Sequence, residues 1–217
     1  MTLNKIAYNL LNLLRAGRSH NDENLSLGQI KFNIKHYRAM FIRRDFMRNG
    51  LITRHLEQDL GCVSLVKVDA SKCPCDFTTA CPVYRTTIKI PRTVRFNFSD
   101  AITHVGDITG LGRIPIIEPY EVQWLSADKY TANNAKAYMI EDYMYIYNPK
   151  GMEQVNIRGV FEDPEELAGI KSCDANSTFP IPADMVSAIT SRLVNGELKL
   201  LISTLVDDEN DRQQDTQ

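Results

Sequence analysis

The chain has 217 residues, 43% of them hydrophobic and 24% charged, and its net charge is −2. These values are typical of a globular protein with one large domain, or one domain with helical appendages. No stretch approaches the roughly 20 apolar residues of a membrane span. The apolar run Ile6–Leu14 is followed by Arg15 and Arg18 instead of a cleavage site, so we expect no membrane segment, no signal peptide and a chain made in a cytoplasm.

The two ends of the chain carry opposite charge. Residues 1–60 hold ten basic and five acidic side chains, whereas residues 158–217 hold five basic and twelve acidic ones. One explanation for this distribution is that the charged residues of each end simply lie on surfaces exposed to water. Head-to-tail association, in which the basic end of one copy meets the acidic end of the next, also accounts for it, and such contacts can close into a ring.

The N-terminal region reads as two helices. Thr2–Arg15 has an apolar stripe of Ile6, Leu10, Leu13 and Leu14, a cap at Thr2 and a stop at Gly17, and a polar loop follows at Ser19–Glu23. The second helix is predicted from Leu27 to about Arg48, capped by Ser26 and ended by Asn49-Gly50. Its apolar stripe is Leu27, Ile30, Ile34, Tyr37 and Phe41. A shorter helical piece is predicted at Thr53–Leu60.

The middle of the chain has the alternation and turn residues of a mostly antiparallel β-domain. The predicted strands are Cys62–Val68, Thr86–Ile90, Thr93–Phe98, Ile114–Ile117, Glu121–Leu125, a hairpin over 137–147 that turns at Glu141-Asp142, and Gln154–Phe161.

Helical signals return near the C-terminus. Asp163 and Pro164 begin a short helix, and a last helix starts near Ile181 with Met185, Ile189 and Leu193 on its apolar face and a kink at Gly196. We therefore predict an α+β fold. It has an N-terminal helical region at 1–60, a β-rich domain at 61–162, a C-terminal helical region at 163–205 and a flexible acidic tail at 206–217.

The cysteines are the only candidates for metal ligands. Four of the five, Cys62, Cys73, Cys75 and Cys81, lie within twenty residues, and Cys173 stands apart. A Cys-x-Cys pair does not have the usual spacing of zinc ligands. Reduced thiols are the simpler interpretation, so we expect neither a metal nor a cofactor. A zinc-stabilised nucleic-acid-binding protein remains the alternative.

Catalytic patterns are missing from the sequence. The four histidines, His20, His36, His55 and His104, have no recurring serine or carboxylate partners. The glycine-rich segment 106–112 lacks the Lys-Ser/Thr ending of a phosphate-binding loop. We therefore expect a structural protein and not an enzyme.

Two charged groups are candidates for contact with neighbours. Basic residues of the second helix are predicted to face another subunit or the phosphates of DNA, and acids of the tail are predicted to contact a neighbouring copy. The basic candidates are Lys31, Lys35, Arg38, Arg43, Arg44 and Arg48, and the acidic ones are Asp207, Asp208, Glu209 and Asp211.

Several segments resemble a virion protein of crAss-like phages of gut Bacteroidales. They are Met1–Leu11, Gln29–Ala39, Ile90–Phe96, Asn156–Pro164 and Leu200–Thr204. The order of elements also resembles the head–tail adaptor of short-tailed phages. The resemblance implies a homo-oligomeric connector ring of about twelve copies, bound to the portal protein and to other tail or neck proteins. Such a ring would form part of the DNA channel, touch packaged DNA without reading its sequence, and need no membrane. Another tail or capsid component remains an alternative.

Overall fold

The computed structural model describes residues 1–14, 26–68, 83–96, 99–110, 112–127, 130, 133–170 and 178–196. The chain divides into two compact units, one formed by Met1–Leu56 with Asp174–Gln217 and the other by Glu57–Cys173. In chain order the elements are α1 (Leu3–Leu14), α2 (Leu27–Asn49), β1 (Gln58–Lys67), β2 (Val83–Thr86), β3 (Ile102–Gly106), β4 (Lys136–Ile140), β5 (Tyr143–Tyr147), β6 (Gln154–Gly159), α3 (Pro164–Ile170) and α4 (Ala183–Asn195).

The helices of the first unit begin and end at the predicted capping residues. Thr2 Oγ1 accepts a hydrogen bond from the backbone N–H of Lys5 at 3.3 Å, and Ser26 Oγ accepts one from Gln29 at 3.2 Å. Gly50 ends α2 in the left-handed conformation, with φ of 67°, and donates its N–H to the Phe46 carbonyl. The predicted stop at Gly17 and loop at Ser19–Glu23 lie outside the described residues.

The core of this helical unit is made by one apolar face from each helix. Packing joins α1 to α2 and α4 to both. Each fully buried aliphatic side chain stabilises the unit by roughly 1.5–3 kcal/mol. Leu13 was predicted in the stripe of α1 but is 62% exposed, because that face is centred closer to Ala7 and Leu10. The main core residues are Leu3, Ile6, Leu10, Ile30, Ile34, Phe41, Met185, Ile189 and Leu193.

The second unit is built on a six-stranded antiparallel sheet with the strand order β3-β6-β1-β2-β5-β4. The predicted α+β class is confirmed, and so are the β4–β5 hairpin and β6. The helical piece predicted at Thr53–Leu60 is wrong beyond the short 3₁₀ turn Arg54–Leu56, because β1 already starts at Gln58. A β-bulge at Gly61, with φ of 81°, lets the strand extend this far, and Asp59 Oδ1 accepts the Gly61 N–H at 2.7 Å.

Other strand predictions fail where the spacing of apolar residues was ambiguous. Glu121–Leu125 lies in a 3₁₀ helix, Pro119–Ala127, which buries Val122 and Leu125 at a spacing of three residues. Predicted strands at Thr93–Phe98 and Ile114–Ile117 contribute only isolated bridges among the described residues. Only Thr86 of the predicted strand Thr86–Ile90 belongs to β2, and β3 was not predicted.

The segment from Arg113 to Ile117 connects the two edge strands of the sheet. The Ile114 N–H donates to the Val105 carbonyl on β3 at 2.7 Å, and the Ala137 N–H on β4 donates to the Pro115 carbonyl at 2.9 Å. Ile117 returns a bond to the Ala137 carbonyl at 2.8 Å. Backbone groups on both edges are therefore paired within the unit at these positions. The core beneath includes Val105, Ala137, Met144, Ile146, Val155, Ile157 and Phe161.

The C-terminal helices begin largely as predicted. Asp163 Oδ1 accepts the backbone N–H of Glu165 at 2.9 Å, and Pro164 is the first residue of α3. Pro182 precedes α4, and Gly196 stands at the end of this helix instead of kinking it. Within the described part of the chain, no helix has both the length and the hydrophobicity needed to cross a membrane.

Candidate interaction surfaces

α2 carries a second apolar face that the sequence analysis did not identify. Successive helical residues are rotated by roughly 100°, which places Phe32, His36, Met40, Arg43 and Met47 together, opposite the buried face of α2. We call these five residues the outer stripe. Phe32 is 67% exposed, Met40 40% and Met47 50%. The rings of Phe32 and His36 stack with centroids 6.3 Å apart. An exposed row of this kind is typical of a surface that a partner covers.

The basic residues of α2 lie beside this stripe and do not form one continuous face. By helical geometry, Lys35 and Arg44 lie on opposite flanks of the stripe, whereas Lys31 and Arg48 lie nearer the buried face. Arg43 is within the stripe. The Arg44 guanidinium stands 4.6 Å from the centre of the Phe41 ring and 3.9 Å from Asp45. An apolar centre with charged borders is the usual composition of a protein–protein interface.

Arg38 is placed elsewhere than the other basic candidates. Its side chain is fully buried within the helical unit. Its Nε donates a 2.8 Å hydrogen bond to the Pro180 carbonyl, and its guanidinium lies 5.5 Å from the centre of the Phe179 ring. Arg38 thus ties α2 to the segment that leads into α4, and it is not available to DNA or to another subunit in this structure. The helical period could have found this, because Arg38 falls between the core positions Ile34 and Phe41.

The second unit has a cleft of about 710 Å³ beside the segment that joins the sheet edges. Its walls come from residues 99–102, from residues 113–121 and from Met139 on β4. We call it the acidic cleft, because the described residues that line it include three acids, Asp100, Glu118 and Glu121, and one basic residue, Arg113. The apolar part of the lining is Ile102, Pro115, Ile116, Ile117, Pro119 and Met139.

The acidic side chains are held at the cleft by local contacts. Glu121 Oε2 accepts the backbone N–H of Glu118 at 3.1 Å, which fixes this carboxylate at the start of the 3₁₀ helix. Asp100 Oδ1 accepts a hydrogen bond from Thr93 and lies 3.8 Å from Arg95 Nε. Glu118 is exposed. The lining therefore has more acidic than basic side chains above an apolar wall, with Arg95 offsetting part of the charge of Asp100.

Two large aromatic side chains stand on the outer side of the same 3₁₀ helix. Tyr120 is 67% exposed and Trp124 66% exposed, whereas Val122 and Leu125 point into the unit. With three residues per turn, Trp124 lies one turn after Glu121 and on the same side. Trp124 is not a lining residue of the acidic cleft, but it lies one turn beyond Glu121, which is. Trp124 is also the only tryptophan of the chain.

The candidates for metal binding lie mostly outside the described residues. Cys62 is exposed on β1, and Cys73, Cys75, Cys81 and Cys173 lie outside the described residues. Nowhere in the described ranges do three or more potential metal ligands converge.

The glycine-rich segment forms a turn after β3. Asp107 Oδ1 accepts hydrogen bonds from Thr109 Oγ1 at 2.7 Å and from the Gly112 N–H at 3.2 Å. These contacts direct the Asp107 carboxylate at the backbone of the segment, where a phosphate-binding loop would hold an anion. The acidic candidates Asp207, Asp208, Glu209 and Asp211 lie beyond the described residues.

Comparisons with known proteins give the family. No curated protein matches the chain. A family model described as phage tail ring protein 2 matches residues 5–216, which is nearly the whole chain. The resemblance to a virion protein of crAss-like phages is thereby confirmed, and it makes this protein a ring component of a virion. The chain belongs to the phage tail ring protein 2 family of crAss-like phages.

Proposed function

We propose that the chain is a structural subunit of the connector ring between the portal and the tail, and that it is not an enzyme. In this role, copies assembled in the host cytoplasm close into a ring of about twelve. The ring binds the portal protein on one side and other neck or tail proteins on the other. DNA passes through its centre.

The exposed apolar side chains carry this proposal. Both units present large apolar residues to solvent, among them Phe32 and Met47 on α2 and Tyr120 and Trp124 beside the acidic cleft. A free monomer seldom keeps several such patches uncovered. A ring subunit held between a portal and a tail has neighbours on several sides, and these neighbours would cover them.

The positive charge of α2 also supports contact with acidic partners. Lys31, Lys35, Arg43, Arg44 and Arg48 remain partly or fully exposed on α2. Repeated around a ring, these residues would attract a neighbouring acidic surface or the phosphates of DNA, without reading its sequence. The acids Asp207, Asp208, Glu209 and Asp211 would reach the adjacent copy in the same way.

Particle mass tests the connector role. Native mass spectrometry of the full chain, with and without the portal protein of the same phage, should give a ring or a stoichiometric complex with the portal. The same measurement on a chain that lacks residues 206–217 should give weaker assembly if the tail contributes. A ring that does not bind the portal protein would place the chain elsewhere in the tail and overturn the connector proposal. A monomer that binds DNA or stoichiometric zinc would favour the nucleic-acid-binding alternative.

A further inference from the structure

We infer that the outer stripe of one copy docks into the acidic cleft of the next copy around the ring. The inference rests on the ring that is part of the proposed function. It does not depend on where in the neck or tail that ring lies. It assigns the two surfaces through which neighbouring copies recognise each other.

A ring of identical chains needs two different surfaces on every copy. Each subunit presents one surface to its left neighbour and another to its right, and the same pair of surfaces repeats around the circle. The described residues offer two such surfaces of opposite form. The outer stripe is a ridge on a helix, and the acidic cleft is a concave site of about 710 Å³. A helix with apolar anchors that lies in a groove is a recurrent mode of protein recognition.

The apolar parts of the two surfaces are suited to each other. Phe32, Met40 and Met47 supply aromatic and flexible thioether side chains that adapt to an irregular wall. The cleft offers Ile116 and Met139 as a matching apolar wall. Ile116 is 41% exposed in a single copy, so covering it removes apolar surface from water.

The charges of the two surfaces are opposite. Arg43 lies in the C-terminal half of the stripe and Arg44 on its flank, where Asp45 stands 3.9 Å from Arg44. Asp100, Glu118 and Glu121 line the cleft. Complementary charge of this kind fixes the register of a complex and rejects like-charged partners. Trp124, one turn beyond Glu121, is exposed and adds a residue type that often dominates binding energy at interfaces.

DNA fits the outer stripe less well than a second copy does. Phosphate groups gain from Arg43, Arg44 and the two lysines, but they gain nothing from the apolar side chains between them. A protein partner gains from both. We therefore assign the stripe to contact between copies.

Photocrosslinking in assembled virions tests the contact. Phe32 is replaced by p-benzoylphenylalanine, which retains an exposed aromatic ring at this position, and the particles are irradiated. We expect a band of twice the chain mass whose crosslinked peptide comes from residues 99–139. The matched control places the same group at Tyr8, an exposed aromatic residue of α1, and should not label that region. Crosslinks from Phe32 to α2 of another copy, to DNA or to another virion protein would overturn the inference.

A mixing experiment tests the pairing independently, under the conditions in which the unaltered chain forms its ring. Met40→Glu puts a negative charge on the stripe, and Ile116→Lys puts a positive charge in the cleft. Both side chains are at least 40% exposed, so each variant should keep its unfolding temperature but fail to form rings. A mixture of the two should assemble again with the two variants alternating, because the unaltered stripe of one variant meets the unaltered cleft of the other, and at the second contact the introduced carboxylate faces the introduced amine. Rings from either variant alone, or a mixture that stays monomeric, would refute the pairing.

The outcomes for docking and for the connector role are separable. A crosslink to the cleft in a ring located away from the portal would leave the docking standing and overturn the connector role. A ring at the portal with Phe32 crosslinked elsewhere would do the reverse.

Discussion

At the scale of single residues, Arg38 places a guanidinium inside the helical unit, fully shielded from solvent. Burial of a charged group is costly unless it is hydrogen-bonded and packed. The 2.8 Å bond to the Pro180 carbonyl and the Phe179 ring at 5.5 Å provide such contacts. They link residues 142 positions apart in the chain, so Arg38 helps to define where α4 packs on α2.

Truncation of this side chain should destabilise the helical unit strongly. Arg38→Ala removes a large packed side chain and leaves the Pro180 carbonyl without this donor, so we expect a loss of about 2–4 kcal/mol in the free energy of unfolding. Urea denaturation followed by circular dichroism measures the loss. Arg192→Ala, at an exposed position of α4 in the same unit, is the matched control and should stay within about 0.5 kcal/mol of the unaltered chain. Equal effects at the two positions would contradict a structural role for Arg38.

At the scale of elements, the β4–β5 hairpin contains local strain. Its turn residues Glu141 and Asp142 have φ of 51° and 66°, the left-handed conformation that asparagine and glycine adopt most easily. Replacing both, as Glu141→Asn with Asp142→Gly, should raise the free energy of unfolding by about 1 kcal/mol. Thermal unfolding of the full chain measures the gain. The control Glu153→Gly, at a position without positive φ, should lower the free energy of unfolding instead. A higher free energy of unfolding for this control would show that the gain in the turn does not come from its positive φ angles.

Elements with several agreeing local signals could be predicted from the sequence. Helix α2 has a cap at Ser26, a regular apolar period and a stop at Gly50, and its bounds are close to those predicted. Strand β3 has no such support. It contains His104 and ends at Gly106, and its pairing with β6 joins residues about fifty positions apart. Long-range pairing decides such a strand, and a local pattern does not contain that information.

The candidate surfaces also differ in whether local sequence signals or long-range contacts determine them. The basic residues of α2 were visible in the sequence, but the outer stripe was not recognised, because His36 and Arg43 interrupt its apolar residues. The acidic cleft could not be predicted at all. Its lining comes from residues 99–102, from residues 113–121 and from Met139, which only the folded sheet brings together. Arg38 shows the opposite error, since a charged residue was assigned to the surface by its type alone.

At the scale of the whole molecule, each copy offers a basic apolar ridge in one unit and an acidic cleft in the other. Association through such a pair is directional, because the ridge of one copy meets the cleft of the next. Directional contacts grow into rings or filaments according to the rotation at each step. A family of tail rings is consistent with closure. Opposite charge at the two surfaces would also make ring formation weaken as salt is added.

The single tryptophan should report assembly directly. Trp124 is 66% exposed in one copy and lies one turn beyond Glu121, a lining residue of the acidic cleft. If the outer stripe of a neighbour covers the cleft, the indole leaves water, and its emission should move to shorter wavelength as rings form. Fluorescence is recorded while chain concentration is raised through the range in which particle mass increases.

The control chain combines Trp124→Phe with Val66→Trp, which moves the reporter to an exposed position on β1 outside the cleft. Its emission should stay constant through the same transition. If the emission of the control shifts and that of Trp124 does not, copies meet through a different face of the β-rich unit. The pairing of the outer stripe with the acidic cleft would then be wrong, even though the ring itself forms.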